Sequence, residues 1–203
     1  MIYEGELLSA NNSDKKAANK NKHAIRKQLH IQLKQLWETE RILKRITRDM
    51  VIGKSYSTEN PIRPYEGLNH IAKQFEKSGH GFVPLVGVGY PNVGVPDVSS
   101  ICSLDILFLR HEPPGAIVHG GDIDNRLKIL FDGLRVPHDG SEIPVPPEHD
   151  EQPMYCLLRD DSLISDVKVT TDLLLRPTPS PSDVLLVIEV SMRRSDLISP
   201  GTL

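Results

Sequence analysis

The chain has 203 residues, the size of one ordinary domain, with 38% hydrophobic and only 5% aromatic residues, so any core must be built mostly from Leu, Ile and Val. No apolar run approaches the roughly 18 residues that a membrane span needs, and the opening MIYEGELLSANNSDKK lacks the charged-then-apolar order of a signal peptide. The formal charge of −3 conceals an asymmetry: positions 1–48 carry 11 Lys/Arg against 5 Asp/Glu, and the remainder 13 against 22.

A basic end beside an acidic body suits a protein that holds a polyanion at one surface and metal ions at another. A solvated lysine-rich helix accounts for the same counts. The two cysteines, Cys102 and Cys156, lie far apart and form no CxxC pair. They fit buried thiols in a cytoplasmic protein better than a disulfide scaffold or a zinc site.

In chain order, positions 2–8 (IYEGELL) form a candidate strand, followed by a polar, basic loop. Over 23–46 the pattern becomes helical: Ile25, Leu29, Leu33, Leu36 and Trp37 make one apolar stripe, with Lys22, Arg26, Lys27 and Lys34 read as lying off it. SYSTENPIRPYEG breaks the pattern, and a second helix is expected over 66–77. GFVPLVGVGY reads as an irregular strand, and SLDILFLR (103–110) as a regular one with Leu104, Ile106, Phe108 and Arg110 on one side. A helix over 125–134 buries Leu127, Leu130, Phe131 and Leu134. Segment 137–153, rich in Pro and acid, reads as a surface loop in which Glu142, Glu148, Asp150 and Glu151 are solvated. A strand approach, an acidic pair, a longer strand, a Pro/Ser turn and the final strand VLLVIEVSMRR follow. No internal repeat is present. The layout is α+β: a mixed sheet packed against helices, one domain over 1–195 and a tail over 196–203.

Chemistry concentrates in GGDIDNRLKILFDGLR. A helix start welcomes a carboxylate as an N-cap, yet one cap position accounts for only one of Asp122 and Asp124. Asp124, Lys128 and Asp132, spaced by four, form a polar stripe in which an Asp124–Lys128 salt bridge is the plainest role. The alternative is a metal-binding edge. Mg²⁺ takes oxygen ligands, usually one or two protein carboxylates plus substrate phosphates. LRDDSLISDVKV offers a further carboxylate, Asp160 or Asp161, just before a strand. Such a site hydrolyses phosphodiesters, with a lysine steadying transition-state charge. Lys15, Lys16, Lys20, Lys22, Arg26 and Lys27 are the candidate phosphate contacts. Lys168 and Arg110 are weaker additions.

Asp122, Asp124 and Asn125, then Lys128, Asp132 and Leu134, then Asp160 and Asp161 before SLISDVKV, resemble the RusA family of Holliday junction resolvases. DVLLVIEV resembles that family's last strand, and ANN before a basic helix echoes its N-terminal region. The resemblance covers about 103–190 well and the N-terminus loosely. It implies a RusA-like fold and a homodimeric endonuclease that cuts branched DNA with Mg²⁺, for which Mn²⁺ can substitute. Asp122, Asp124 and Asp161 would hold metal, with Asp160 a further member, and Lys128 would be the essential lysine. The chain is longer than most members, with extra length in 38–100 and 137–153, and it lacks basic residues just before DxD. A nuclease for other DNA or RNA, as in defence against foreign DNA, and a non-catalytic nucleic-acid-binding protein are the alternatives.

Overall fold

The computed structural model describes residues 1–11, 14–44, 64–88, 100–111 and 123–194. Its elements in chain order are β1 (Ile2–Glu6), α1 (Lys15–Thr39), α2 (Pro64–Gln74), β2 (Phe82–Val86), β3 (Ser100–Arg110), α3 (Ile123–Leu134), β4 (Met154–Leu158), β5 (Ile164–Leu173) and β6 (Asp183–Arg194). The α+β expectation holds. The strands, however, divide into a four-stranded sheet of order β1-β6-β3-β5 and a separate pair, β2-β4. The larger sheet is mixed: β3 runs parallel to β5, and β6 runs antiparallel to β1 and β3. In β4 every residue is buried, and in the parallel pair with β2 nearly all are. Strands buried on both faces read as unbroken apolar runs, as FVPLV and MYCLL do.

One face of the larger sheet carries Tyr3, Leu104, Ile106, Phe108, Val184, Leu186 and Ile188, all buried, and joins one apolar cluster with Ile25, Leu29, Leu33 and Trp37 of α1 and Leu130 and Leu134 of α3. Alternation in β3 thus places Leu104, Ile106, Phe108 and Arg110 inward as its period of two requires. Both cysteines are buried free thiols. No helix among the described residues is long and apolar enough to cross a membrane.

Helix α1 starts eight residues earlier than its apolar stripe implies. Asp14 caps it, accepting from the Lys16 and Ala17 N–H groups, so the lysine-rich first turns need no buried face of their own. Once in place, α1 works through both flanks. On one, Gln32 pairs reciprocally with the Ile2 main chain (2.9 and 2.7 Å), Gln28 accepts from Glu4 N–H (3.0 Å), and Asn21 bridges Leu8 N–H and Glu6 C=O. These alternate residues present their polar groups away from β6, so the carboxamides close the exposed edge of β1. On the other flank Lys27 meets Glu148 (3.1 Å) and Glu151 (3.0 Å), and Lys34 donates to Asp150 C=O. Segment 137–153 is therefore a packed strap with two short 3-10 turns. Glu142 and Glu151, expected in solvent, are buried against α1.

Candidate metal and phosphate site

Helix α3 begins at Ile123, so Asp124 stands inside its first turn, where the helix dipole favours a carboxylate, and does not cap it. Asp124 is exposed, and so is Lys128 one turn later. Neither side chain makes a hydrogen bond or ion pair among the described residues, so the salt bridge their spacing permits is not formed. Asp132 leaves the stripe. Eight residues at about 100° each carry it roughly 80° around the helix, where it meets Lys22 (2.8 Å) and Arg135 (2.7 Å).

The acidic pair follows β4. Asp160 caps the short turn Asp161–Leu163, accepting from the N–H and hydroxyl of Ser162. Those bonds, aided by the positive charge of His138 and Arg135, hold its carboxyl below the usual range. Asp161 is exposed, and its carboxylate has no partner among the described residues. Of the two, Asp161 is the one left uncommitted.

Several contacts fix this turn beside α3. The helix packs directly against it. Val136 N–H donates to Leu158 C=O and Arg159 N–H to Val86 C=O, both at 2.9 Å, tying the end of α3 and the ends of β2 and β4 together. Gly87 has φ +85°, and a Cβ there would lie 2.4 Å from Leu163 Cδ1, so only glycine lets the turn sit down on β2. Ala10 N–H donates to Asn125 C=O (3.1 Å), bringing the segment before α1 to the mouth of α3.

Asp122 lies outside the described residues. Among the described residues no three His, Cys, Asp or Glu side chains converge as a metal-holding group. What the fold does supply is two exposed carboxylates on adjoining elements, Asp124 and Asp161, with Lys128 beside the first. Uncommitted carboxylate oxygens are the kind of donor a hard divalent cation takes.

Comparisons with protein-family models, curated proteins and solved structures gave no match.

The basic helix divides sharply. Lys15, Lys16 and Lys20 are exposed. Arg26 is not a surface cation: it is 2% exposed, donating to Glu142 (2.6 Å) and to the carbonyls of Arg135 and Asp132. Its place around the helix, at about 100° per residue, falls between Leu33 and Trp37, inside the apolar arc. Lys22 is held by Asp132, and Lys27 by Glu148 and Glu151. Three of the six expected phosphate contacts are thus spent within the fold. Arg110 is also buried, and Lys168 pairs with Asp105 (2.6 Å) on the sheet.

Sequence reasoning missed the buried cluster of Lys22, Arg26, Asp132, Arg135 and Glu142. Its clearest signal was the helical position of Arg26. A second omission, Arg159, stands directly before the acidic pair.

Proposed function

We propose that the chain is a metal-dependent endonuclease of RusA type that hydrolyses phosphodiester bonds in branched DNA. The observation that carries this reading is that Asp124, Lys128 and Asp161, spaced as in that family, are exposed, uncommitted and on adjoining elements. Asp124 and Asp161, with Asp122, would hold Mg²⁺ or Mn²⁺, and Asp160 would support them by fixing the turn. When bound, the metal supplies Lewis acidity that activates water and offsets phosphate charge. Lys128, one helical turn from Asp124, stabilises negative charge building on the phosphate oxygens during displacement. Lys15, Lys16 and Lys20 contact backbone phosphates and orient the substrate without reading its sequence. A homodimer would present two such sites to the two strands of a four-way junction. The buried free thiols agree with a cytoplasmic setting.

The acidic strap over Lys22, Arg26 and Lys27 favours a second reading, the same chemistry on other DNA or RNA, because it leaves a smaller basic surface than a junction binder would present. One panel separates them: four-way junction, flap, duplex and single strands of DNA and RNA, with and without Mg²⁺. Cleavage confined to the junction supports the first reading, and cleavage of another member supports the second. Asp124→Asn should abolish cleavage while leaving binding intact or tighter, since a negative charge beside the phosphate is removed. Full cleavage by that variant sinks the site.

A further inference from the structure

Arg159 links a fully buried strand to the acidic turn. Its backbone is anchored by the bond to Val86 C=O, and its side chain is half-buried. The stem lies over Gly87: a Cβ at that position would sit 3.0 Å from Arg159 Cβ and 3.5 Å from its Nε. The glycine that seats the acidic turn therefore also leaves a bed for the arginine arm.

Among the described residues most other guanidiniums are employed or enclosed, whereas Arg41 and Arg193 are exposed far along the chain from the acidic turn. Arg26 and Arg135 are saturated by Glu142 and Asp132, Arg176 pairs with Glu4, and Arg110 and Arg126 are buried. Arg159 has an acidic neighbour on its own chain, Asp160, yet that carboxylate is turned to Ser162. Among the described residues the Arg159 guanidinium makes no hydrogen bond or ion pair. A half-buried arginine with its donors unspent and its stem laid over Gly87 is prepared for an anion. A planar fork of N–H donors matches two phosphate oxygens at once.

We infer that Arg159 binds the backbone phosphate next to the scissile one, which Lys128 and a cation held by Asp124 and Asp161 would face, setting the register of the nucleic acid on the site. This rests on the nuclease reading above. The residue acts on ground-state binding and positioning, so its loss raises KM more than it lowers kcat.

The test is binding of fluorescent four-way junction and single-stranded DNA, with EDTA present so that no cleavage occurs, by the wild type, Arg159→Ala and Arg159→Lys over a salt series. Removing a bidentate charged contact should weaken binding roughly tenfold and reduce the slope of log affinity against log salt by about one. Arg159→Lys should recover the slope but only part of the affinity, because an ammonium does not reproduce the fork. The unfolding midpoint of Arg159→Ala should match the wild type. Wild-type affinity and slope in Arg159→Ala overturn the assignment while the nuclease reading stands on wild-type cleavage with Mg²⁺. Loss of thermal stability together with binding, both restored by lysine, also overturns it, because the role is then structural. A wild type that binds no member of the series overturns both.

Discussion

His23 is 4% exposed on α1, and neither ring nitrogen has a hydrogen-bond partner among the described residues. Burial pushes its pKa down to about 4, with the charges of Arg26 and Lys27 adding to that and Glu151 opposing it. In the unfolded chain the ring titrates near 6.5. Between these values the unfolded state binds a proton that the folded state refuses, so the stability His23 allows is complete above about 6.5 and is lost as pH falls through about 4. The thermal midpoint should drop across that window, and His23→Leu should flatten the drop. His30 keeps some sensitivity: its Nδ1 accepts from Tyr155 N–H (2.9 Å), so Nε2 carries the proton toward Asp150 C=O, and the ring is neutral in the fold. A midpoint-versus-pH curve identical in His23→Leu and wild type would exonerate His23. Glu142 poses the opposite problem, a buried charge that must stay. It faces Arg26 (2.6 Å) and Arg135 (2.9 Å), all three side chains nearly enclosed. Glu142→Ala leaves the Arg26 guanidinium with no carboxylate and Arg135 with Asp132 alone, and truncating one partner of a buried pair costs about 3–5 kcal/mol. Urea denaturation should show that loss. A change under about 1 kcal/mol would mean that solvent reaches the cluster. The sequence announced neither residue as internal. Arg26 could have been placed by helical angle alone, but Glu142 is 116 positions away from it, in a segment with no periodicity to orient it.

At the scale of elements, the closeness of α1 and α3 decides where Asp124 and Lys128 stand. Gly133 lies at their crossing: a Cβ there would come 2.8 Å from Ile25 Cγ2 and 2.9 Å from Ile25 Cβ. Ile25 is β-branched and cannot swing its side chain away within a helix, so Gly133→Ala must push α3 outward. Overpacking of this kind costs about 1–3 kcal/mol, and it would displace the helix that bears the site. Ile25→Ala opens the same space from the other side, so the double variant should cost clearly less than the sum of the two singles. Additive effects in chemical denaturation would show that the helices do not meet at this point. The existence of most elements was legible. The strand SLDILFLR, the final strand and the helix around LKILFDGL stand close to where their periods put them, because each buries a regular face. The start of α1 was not, since Lys15 to Lys22 is driven by a cap and by contacts to β1 and the strap, and apolar period carries no trace of those.

For the whole molecule, part of the charge asymmetry of the chain is met internally. Two cations of the basic N-terminal helix are neutralised by the acidic strap, Lys27 by Glu148 and Glu151 and Arg26 by Glu142. Net charge by segment could not show this, because segment counts do not say which charges meet. The splitting of the strands into two sheets was equally hidden: β2 and β4 are separated by β3 and α3 in sequence and pair only once those are placed. Of the candidate site, the residue types and spacing were readable, whereas the commitment of Asp160 to Ser162 and of Asp132 to Lys22 and Arg135 needed three dimensions. If only uncommitted charge is available to a polyanion, lysines of one helix must differ in what they contribute. Replacing Lys15, Lys16 and Lys20 together by Gln should weaken nucleic-acid binding and lower the salt slope by about two to three, since each phosphate left unneutralised keeps its counterion. Lys27→Gln should leave the slope within measurement of the wild type, because that ammonium is already neutralised, and it should lower stability, because Glu151, buried against α1, loses its cation. The comparison is made with one labelled DNA over one salt series. A slope change for Lys27→Gln as large as that of a single exposed lysine would mean that the strap yields to the phosphate backbone, and that the internal pairing of charge does not set the binding surface.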